Sequence, residues 1–263
     1  MKGDVLFIIE YPLMAEWICY QLEKAIEAGK IFPGNIRKKK VYFELSGEPV
    51  TEEQVCNIVK RLEKIFQTEV EYSITYGSTE IGLIGTYIPT IHGSKIKYEV
   101  IPSLFVEIVD GEIIITPYRK QGTILFRYKT GDKGKLFFEN GKPFLNVIGK
   151  SESEGIMYVA GVQVCIPELV AEIEKIANFP IGIKVIKKKD RPKGVCELDI
   201  KIHIPRRDAL SNSLKNAITE KTKQFITDSA VLSVENHLGI VKINIHYSSE
   251  PIKKRFIIEN LKA

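Results

Sequence analysis

The sequence predicts a mixed α/β chain whose first half gives way to antiparallel β-structure and whose last part is a small, separate α+β domain. Three observations carry this. Helical and strand-like apolar periods alternate over the first 80 or so residues. Short alternating runs separated by Gly, Pro and Asp then take over. Beyond Gly149 the order resets, so two domains are expected, residues 1–149 and 150–263.

Pro12–Ala28 carries Leu13, Trp17, Tyr20, Leu22 and Ile26 at helical spacing, and Gly29 stops it. Val41–Leu45 reads as a buried strand running into the turn Ser46-Gly47-Glu48-Pro49. A second helix follows over about Thr51–Phe66. It has Val55, Ile58, Val59, Leu62 and Ile65 on one face, and Thr51 with Gln54 has the form of a capping box. Val70–Tyr76 is the next strand, and strand, helix, strand predicts a parallel βαβ unit. From Ile84 to Phe138 hairpins are expected, with turns at Asp110-Gly111, around Gln121-Gly122, at Asp132–Gly134 and at Asn140-Gly141. In the last part MYVAGVQV reads as one short strand, Pro167–Ala177 as a helix, and IGIKVIKK and ELDIKIHI as strands. A helix at about Ala209–Phe225 and the strand IVKINIHY complete a β-α-β-β-α-β order, that of a ferredoxin-like domain.

At 263 residues, 44% hydrophobic and 27% charged, the composition is globular. The net charge of +5 is spread along the chain. Its densest runs, Lys38–Lys40 and Lys187–Lys189, have no aromatic stacking motif beside them, so nucleic acid is set aside as a partner. The apolar stretch Val5–Ile9 is too short to span a membrane, and no export or lipidation motif is seen. Cys19, Cys56, Cys165 and Cys196 form no C-x-x-C pair; buried packing in a reducing cytoplasm is the expectation for each. His92, His203, His237 and His246 lack metal-ligand or triad spacing, and satisfied or exposed histidines are expected.

Four segments in order carry the functional signal: SGEP at Ser46–Pro49, ITYGSTEIG at Ile74–Gly82, RYKTGDKG at Arg127–Gly134, and Gly149–Glu174. Physically, a strand ending in Tyr-Gly-x-Thr-Glu presents polar groups at the carboxyl edge of a sheet, where α/β proteins bind ligands. Tyr76 offers a flat face for a purine, the Thr79 hydroxyl a donor for a phosphate oxygen, and Glu80 a hard carboxylate suited to Mg²⁺. Asp132, after Gly131, offers a carboxylate for two ribose hydroxyls, or a turn Asp bonded to its own backbone. Gly47 permits close backbone approach.

Together these segments resemble the successive core motifs of acyl-adenylate-forming enzymes, the acyl-CoA synthetase superfamily. The SGEP turn and the run from Thr116 through Arg127 to Asp132 are most similar to phenylacetate–CoA ligase and its capsule-biosynthesis relatives. The resemblance implies a truncated adenylate-forming large domain followed by the small C-terminal domain. It implies part of an ATP-dependent, AMP-forming ligase that activates a carboxylic acid as acyl-adenylate and passes it to coenzyme A or another thiol. It places ATP/AMP against Ser46, Gly47, Glu48, Pro49, Tyr76, Gly77, Ser78, Asp132 and Lys150. Catalysis falls to Thr79, Glu80 and Lys253, with Mg²⁺ on Glu80. Lys150 stands where the family usually has Arg, and the usual catalytic-lysine position falls on Ile252, one residue before Lys253. The Ser/Thr/Gly-rich loop that cradles the β- and γ-phosphates in relatives has no counterpart in residues 1–73. A protein partner supplying that N-terminal portion, or a homodimer, is therefore expected. The competing expectation is a non-catalytic remnant that binds a nucleotide or acyl-adenylate, or an interaction subunit.

Overall fold

A computed structural model describes residues 5–93, 95–118, 124–150, 155–160, 162–204, 211–248 and 256–261. The chain forms two compact units, Met1–Glu152 and Ser153–Ala263. The expected turn at Gln121-Gly122 lies outside the described residues.

The first unit runs β1 (Val5–Glu10), α1 (Pro12–Glu27), α2 (Pro33–Ile36), β2 (Lys40–Leu45), α3 (Glu52–Phe66), β3 (Val70–Ser78) and β4 (Gly82–Tyr87). It continues with α4 (Pro89–His92), β5 (Tyr98–Val100), β6 (Leu104–Val109), β7 (Glu112–Pro117), β8 (Tyr128–Glu139) and β9 (Lys142–Lys150). Its nine strands make one sheet in the order β1-β2-β3-β4-β5-β9-β8-β7-β6. The first three are parallel, as the strand-helix-strand pattern requires, and every later pairing is antiparallel.

Each helix is built by the residues that predict it. Pro12 sits in the first turn of α1, where its missing N–H is no loss, and Leu13, Ala15 and Cys19 face the core. Thr51 closes a capping box on α3: its hydroxyl accepts from the Gln54 N–H at 3.3 Å while the Gln54 side chain accepts from the Thr51 N–H at 3.1 Å. Val55, Ile58, Val59, Leu62, Ile65 and Phe66 of α3 are buried. The two helices are clamped by Arg61, whose planar fork donates two 2.8 Å bonds to Glu23. Their core packs on Val41, Phe43 and Leu45 of β2 and on Val70 and Ile74 of β3.

The hairpin turns Asp110-Gly111 and Asn140-Gly141 have positive φ at both residues, as a two-residue turn between twisted strands demands. One strand adds to the sequence pattern, and one expected turn needs correction. The apolar run Val5–Ile9 is itself a strand, added to the parallel set through β2. Asp132–Gly134 is not a turn but lies within the long strand β8, which is bent by the positive φ of Gly131 and bulged between Lys133 and Gly134. Gly134 is required there, since a Cβ would stand 2.7 Å from Ile113 Cδ1 and 2.8 Å from the Asn146 carbonyl oxygen.

The second unit runs β10 (Ile156–Val159), β11 (Val162–Cys165), α5 (Ile166–Ala177), β12 (Gly182–Asp190), β13 (Val195–His203), α6 (Asn212–Thr227), α7 (Ala230–His237), β14 (Val241–Ser248) and β15 (Phe256–Leu261), with a short 3₁₀ turn at Arg191–Lys193. Its four-stranded sheet has the order β14-β13-β12-β15. The class is α+β as expected, with two differences in detail. MYVAGVQV is a separate antiparallel hairpin, because Ala160 at positive φ reverses the chain, and β15 occupies the sheet position beside β12 instead. Buried Ile183, Val185, Leu198, Ile200 and Ile202 alternate with polar residues, so one sheet face is core and the other is wet.

Cys19 and Cys196 are buried as expected, whereas Cys56 is exposed on the outer side of α3 and Cys165 is half-buried. One lysine of each basic run is paired with a carboxylate: Lys40 with Glu71 at 2.9 Å and Lys188 with Asp199 at 2.6 Å. Among the described residues no helix is long and apolar enough to cross a membrane.

Candidate functional site

Parallel strands point their carboxyl ends the same way, so β2 and β3, in register from Val41 opposite Val70 to Leu45 opposite Ile74, deliver two loops side by side. The first is Ser46–Pro49. Its Ser46 N–H donates to the Glu10 carbonyl at the end of β1 (3.1 Å), and Gly47 turns the chain at φ 80°. The second is the end of β3 and the hairpin into β4. Gly77 sits at a bulge where a Cβ would come within 2.5 Å of the Gly82 carbonyl oxygen, so only glycine lets the two strands close. The Ser78 hydroxyl accepts from the Ile81 N–H at 3.2 Å and fixes the turn, which leaves Thr79 and Glu80 exposed at its tip.

From the antiparallel side, β8 brings Asp132 to the same place. The Asp132 side chain is buried, at 5% exposure, and its Oδ2 accepts a 2.8 Å hydrogen bond from the Tyr76 hydroxyl. Thr130 fixes the backbone at Asp132: its hydroxyl accepts from the Asp132 N–H at 3.1 Å and donates to the Ile113 carbonyl at 3.0 Å. Burial, reinforced by the Asp132 charge, pushes the Tyr76 hydroxyl far above the ordinary tyrosine range. The Tyr128 hydroxyl is raised too, first by burial and then by the carboxylate of Glu80, to which it hydrogen-bonds. Tyr76 and Tyr128 thus stay neutral and hold the Asp132 and Glu80 carboxylates in one cluster. Two segments 56 residues apart in sequence meet here.

Tyr98 completes the wall. Its ring lies 5.6 Å from that of Tyr76 at 45°, and burial raises its hydroxyl to about 12. Tyr98 also lines a cavity of about 280 Å³ with Pro49, Thr51, Lys95, Asn146 and Val147. The cavity therefore reaches from Pro49, at the end of the Ser46–Pro49 turn, to Tyr98, whose ring neighbours that of Tyr76. Tyr98 carries no motif signal, and only the strand pairing of β5 between β4 and β9 brings it in.

Of the remaining expected residues, Lys150 has its backbone opposite Asp132 across β8 and β9, while its side chain lies outside the described residues. Lys253 lies outside them altogether. No group of three or more His, Cys, Asp or Glu that could hold a metal ion occurs among the described residues. Glu80, exposed at a turn tip, fits the one-carboxylate mode in which Mg²⁺ keeps most of its waters. His92 is structural: its Nδ1 accepts from the Ile88 N–H at 2.9 Å, its Nε2 meets Glu99 at 3.0 Å, and its ring abuts Phe144.

No protein-family model matches this sequence, and no curated protein matches it significantly. Solved structures do. 2-Hydroxyisobutyryl-CoA ligase, in complex with 2-HIB-AMP and CoA in the thioesterification state, is 17% identical with a TM-score of 0.59, over 99% of this chain and 55% of that one. A double mutant of o-succinylbenzoate CoA synthetase (MenE) from Bacillus subtilis, bound with the product analogue OSB-NCoA, is 17% identical with a TM-score of 0.49, over 95% and 49%. McyG A-PCP complexed with phenylalanyl-adenylate is 15% identical with a TM-score of 0.39, over 94% and 41%. The chain spans about half the length of these structures. Nearly the whole of this protein thus has the fold of a little over half of 2-hydroxyisobutyryl-CoA ligase.

Proposed function

We propose that this chain is part of an ATP-dependent, AMP-forming ligase that activates a carboxylic acid as its acyl-adenylate and transfers the acyl group to coenzyme A or a similar thiol. The observation that carries the reading is the Tyr76–Asp132 hydrogen bond. It gathers the Tyr-Gly-x-Thr-Glu turn and the Gly131-Asp132 kink, whose chemistries suit the two ends of one nucleotide.

In this reading Asp132 takes the ribose hydroxyls, its Oδ1 accepting one and its Oδ2, shared with the donating Tyr76 hydroxyl, the other. The purine stacks near Tyr76, over the floor formed by the Ser46–Pro49 turn. Thr79 donates to an α-phosphate oxygen. Glu80 would hold Mg²⁺, which neutralises phosphate charge beside two carboxylates that would otherwise repel it. The resemblance would give Lys150 and Lys253 the part of cations toward the ribose and the reacting carboxylate. The β- and γ-phosphates need a loop of backbone N–H donors, which a further polypeptide segment would provide. Phenylacetate–CoA ligase is the kind of enzyme whose motifs the sequence most resembles, and small or aromatic acids are the substrate class that follows.

A second reading, a non-catalytic module that binds an adenylate, is favoured by one feature. Asp132 is buried and already engaged by Tyr76, so a ribose must share that carboxylate. Thioester formation separates the two, because it involves no β- or γ-phosphate. The coenzyme A thiol loses its proton and its sulfur attacks the acyl carbonyl. The C–S bond forms, the acyl–phosphate C–O bond breaks, and AMP leaves. Supplying the chain with preformed phenylacetyl-adenylate and coenzyme A should release AMP and thioester faster than buffer does, and Glu80→Gln should slow it. Tight binding of the adenylate with no acceleration would establish the second reading.

A further inference from the structure

The cavity beside the Ser46–Pro49 turn has an unbonded hydroxyl in its wall. Pro49 and Val50 form one side, Ile96 and Tyr98 another, and Val147 of β9 a third. Two of these sides are tied together at the start of α3. Thr51 closes the capping box, and the Glu52 carboxylate accepts from the Ile96 N–H at 3.2 Å, so both are engaged. Lys95 and Asn146, which also line the space, are exposed. Tyr98 differs from all of these. It is 6% exposed, and its hydroxyl makes no hydrogen bond among the described residues. Burial alone raises that hydroxyl to about 12. The oxygen is nonetheless not sealed from solvent. A hydroxyl that is neither bonded nor sealed opens onto the space its side chain lines. Leaving it unbonded is unfavourable, and a ligand that bonds it removes the penalty. Gly85 of β4 lies opposite Tyr76, and a Cβ there would stand 3.0 Å from the Tyr98 Cβ. Glycine at this point lets the Tyr76 and Tyr98 rings meet across β4.

We infer that this cavity receives the base of the adenylate and that the Tyr98 hydroxyl hydrogen-bonds the edge of that base. The inference rests on the ligase reading and adds a specificity-determining residue to it. Position favours the base over the acyl group. The Tyr76 ring neighbours Tyr98 while its hydroxyl bonds Asp132, which takes the ribose in that reading. The base is joined directly to the ribose, whereas the acyl group hangs beyond the phosphate, toward the turn that carries Thr79. Size agrees. At about 280 Å³ the cavity lies just under the range of about 300–1,000 Å³ for pockets that take a whole drug-sized ligand, so it suits one end of a nucleotide. Chemistry agrees as well. Apolar sides suit the faces of a flat, uncharged ring. A phenol can donate to a ring nitrogen or accept from the adenine amino group.

Calorimetric titration of the full chain with AMP, with ribose 5-phosphate and with phenylacetate separates this contact from the rest of the site. Tyr98→Phe keeps the ring and removes the hydroxyl. It should weaken AMP about three- to tenfold, the effect of one neutral hydrogen bond, and leave ribose 5-phosphate unchanged. The unliganded chain loses no bond, so the urea midpoint of Tyr98→Phe should not fall, which a purely structural role would not allow. Equal AMP affinity in parent and Tyr98→Phe, with AMP binding still lost in Asp132→Ala, overturns this inference and leaves the ligase reading standing. A matching loss of affinity for ribose 5-phosphate overturns it too, as does a loss confined to phenylacetate. A folded parent chain that binds no AMP overturns both.

Discussion

Tyr76→Phe removes one oxygen and should reveal how far Asp132 depends on it. The deleted hydroxyl donates at 2.8 Å to a carboxylate that is 5% exposed, so little water can replace it. A hydrogen bond to a charged group contributes about 1.5–3 kcal/mol, and the low exposure puts this one near the middle, at about 2 kcal/mol. Asp132→Ala removes the other partner, and the double variant closes a cycle that isolates the pair. Trp17, the single tryptophan, sits in α1, so its fluorescence during urea unfolding reports the first unit without interference from the second. The expected coupling is about 2 kcal/mol, with the urea slope unchanged. Simple additivity, within about 0.5 kcal/mol, would refute the premise that this bond joins the two motif segments.

Alkali should act through the buried tyrosines. Burial raises Tyr98 and, with Tyr72 adding, Tyr87 to about 12, and it raises Tyr76 as well. Below pH 10 both folded and unfolded chains keep these protons and the stability is whole. Above pH 10 the unfolded chain releases protons that the folded one retains, so stability falls as pH climbs toward the folded values. These three should ionise only with unfolding, seen as a late cooperative step in tyrosinate absorbance. A single smooth titration would count against the buried placement. Gly134→Ala forces a methyl against Ile113 and the Asn146 carbonyl and should destabilise the first unit by about 1–3 kcal/mol in the same urea assay.

Local chemistry made much of the fold legible. The capping box at Thr51, Pro12 in the first turn of α1, and the Asp110-Gly111 and Asn140-Gly141 turns each act within a few residues, and each lies where its pattern puts it. What pattern could not supply was pairing between distant segments. The run Val5–Ile9 has no alternation to announce an edge strand, since both of its faces are apolar. Gly131 and Gly134 read as turn residues, and only the sheet shows that they bend and bulge a continuous strand. In MYVAGVQV the reversal depends on a positive φ at Ala160, which alanine does not signal. The site divides the same way. Tyr76, Glu80 and Asp132 carry recognisable motifs, whereas the role of Tyr98 follows from β5 lying between β4 and β9, and the bond between Tyr76 and Asp132 from a pairing 56 residues apart.

Calorimetric titration of the purified chain with AMP, alongside Asp132→Ala, tests the nucleotide site most directly. The proposed function predicts one AMP per chain, with heat that disappears in the variant while the Trp17 unfolding transition survives. A folded chain that takes up no AMP, or an Asp132→Ala variant that binds it as well as the parent, would contradict the placement of the nucleotide on the Tyr76–Asp132 pair.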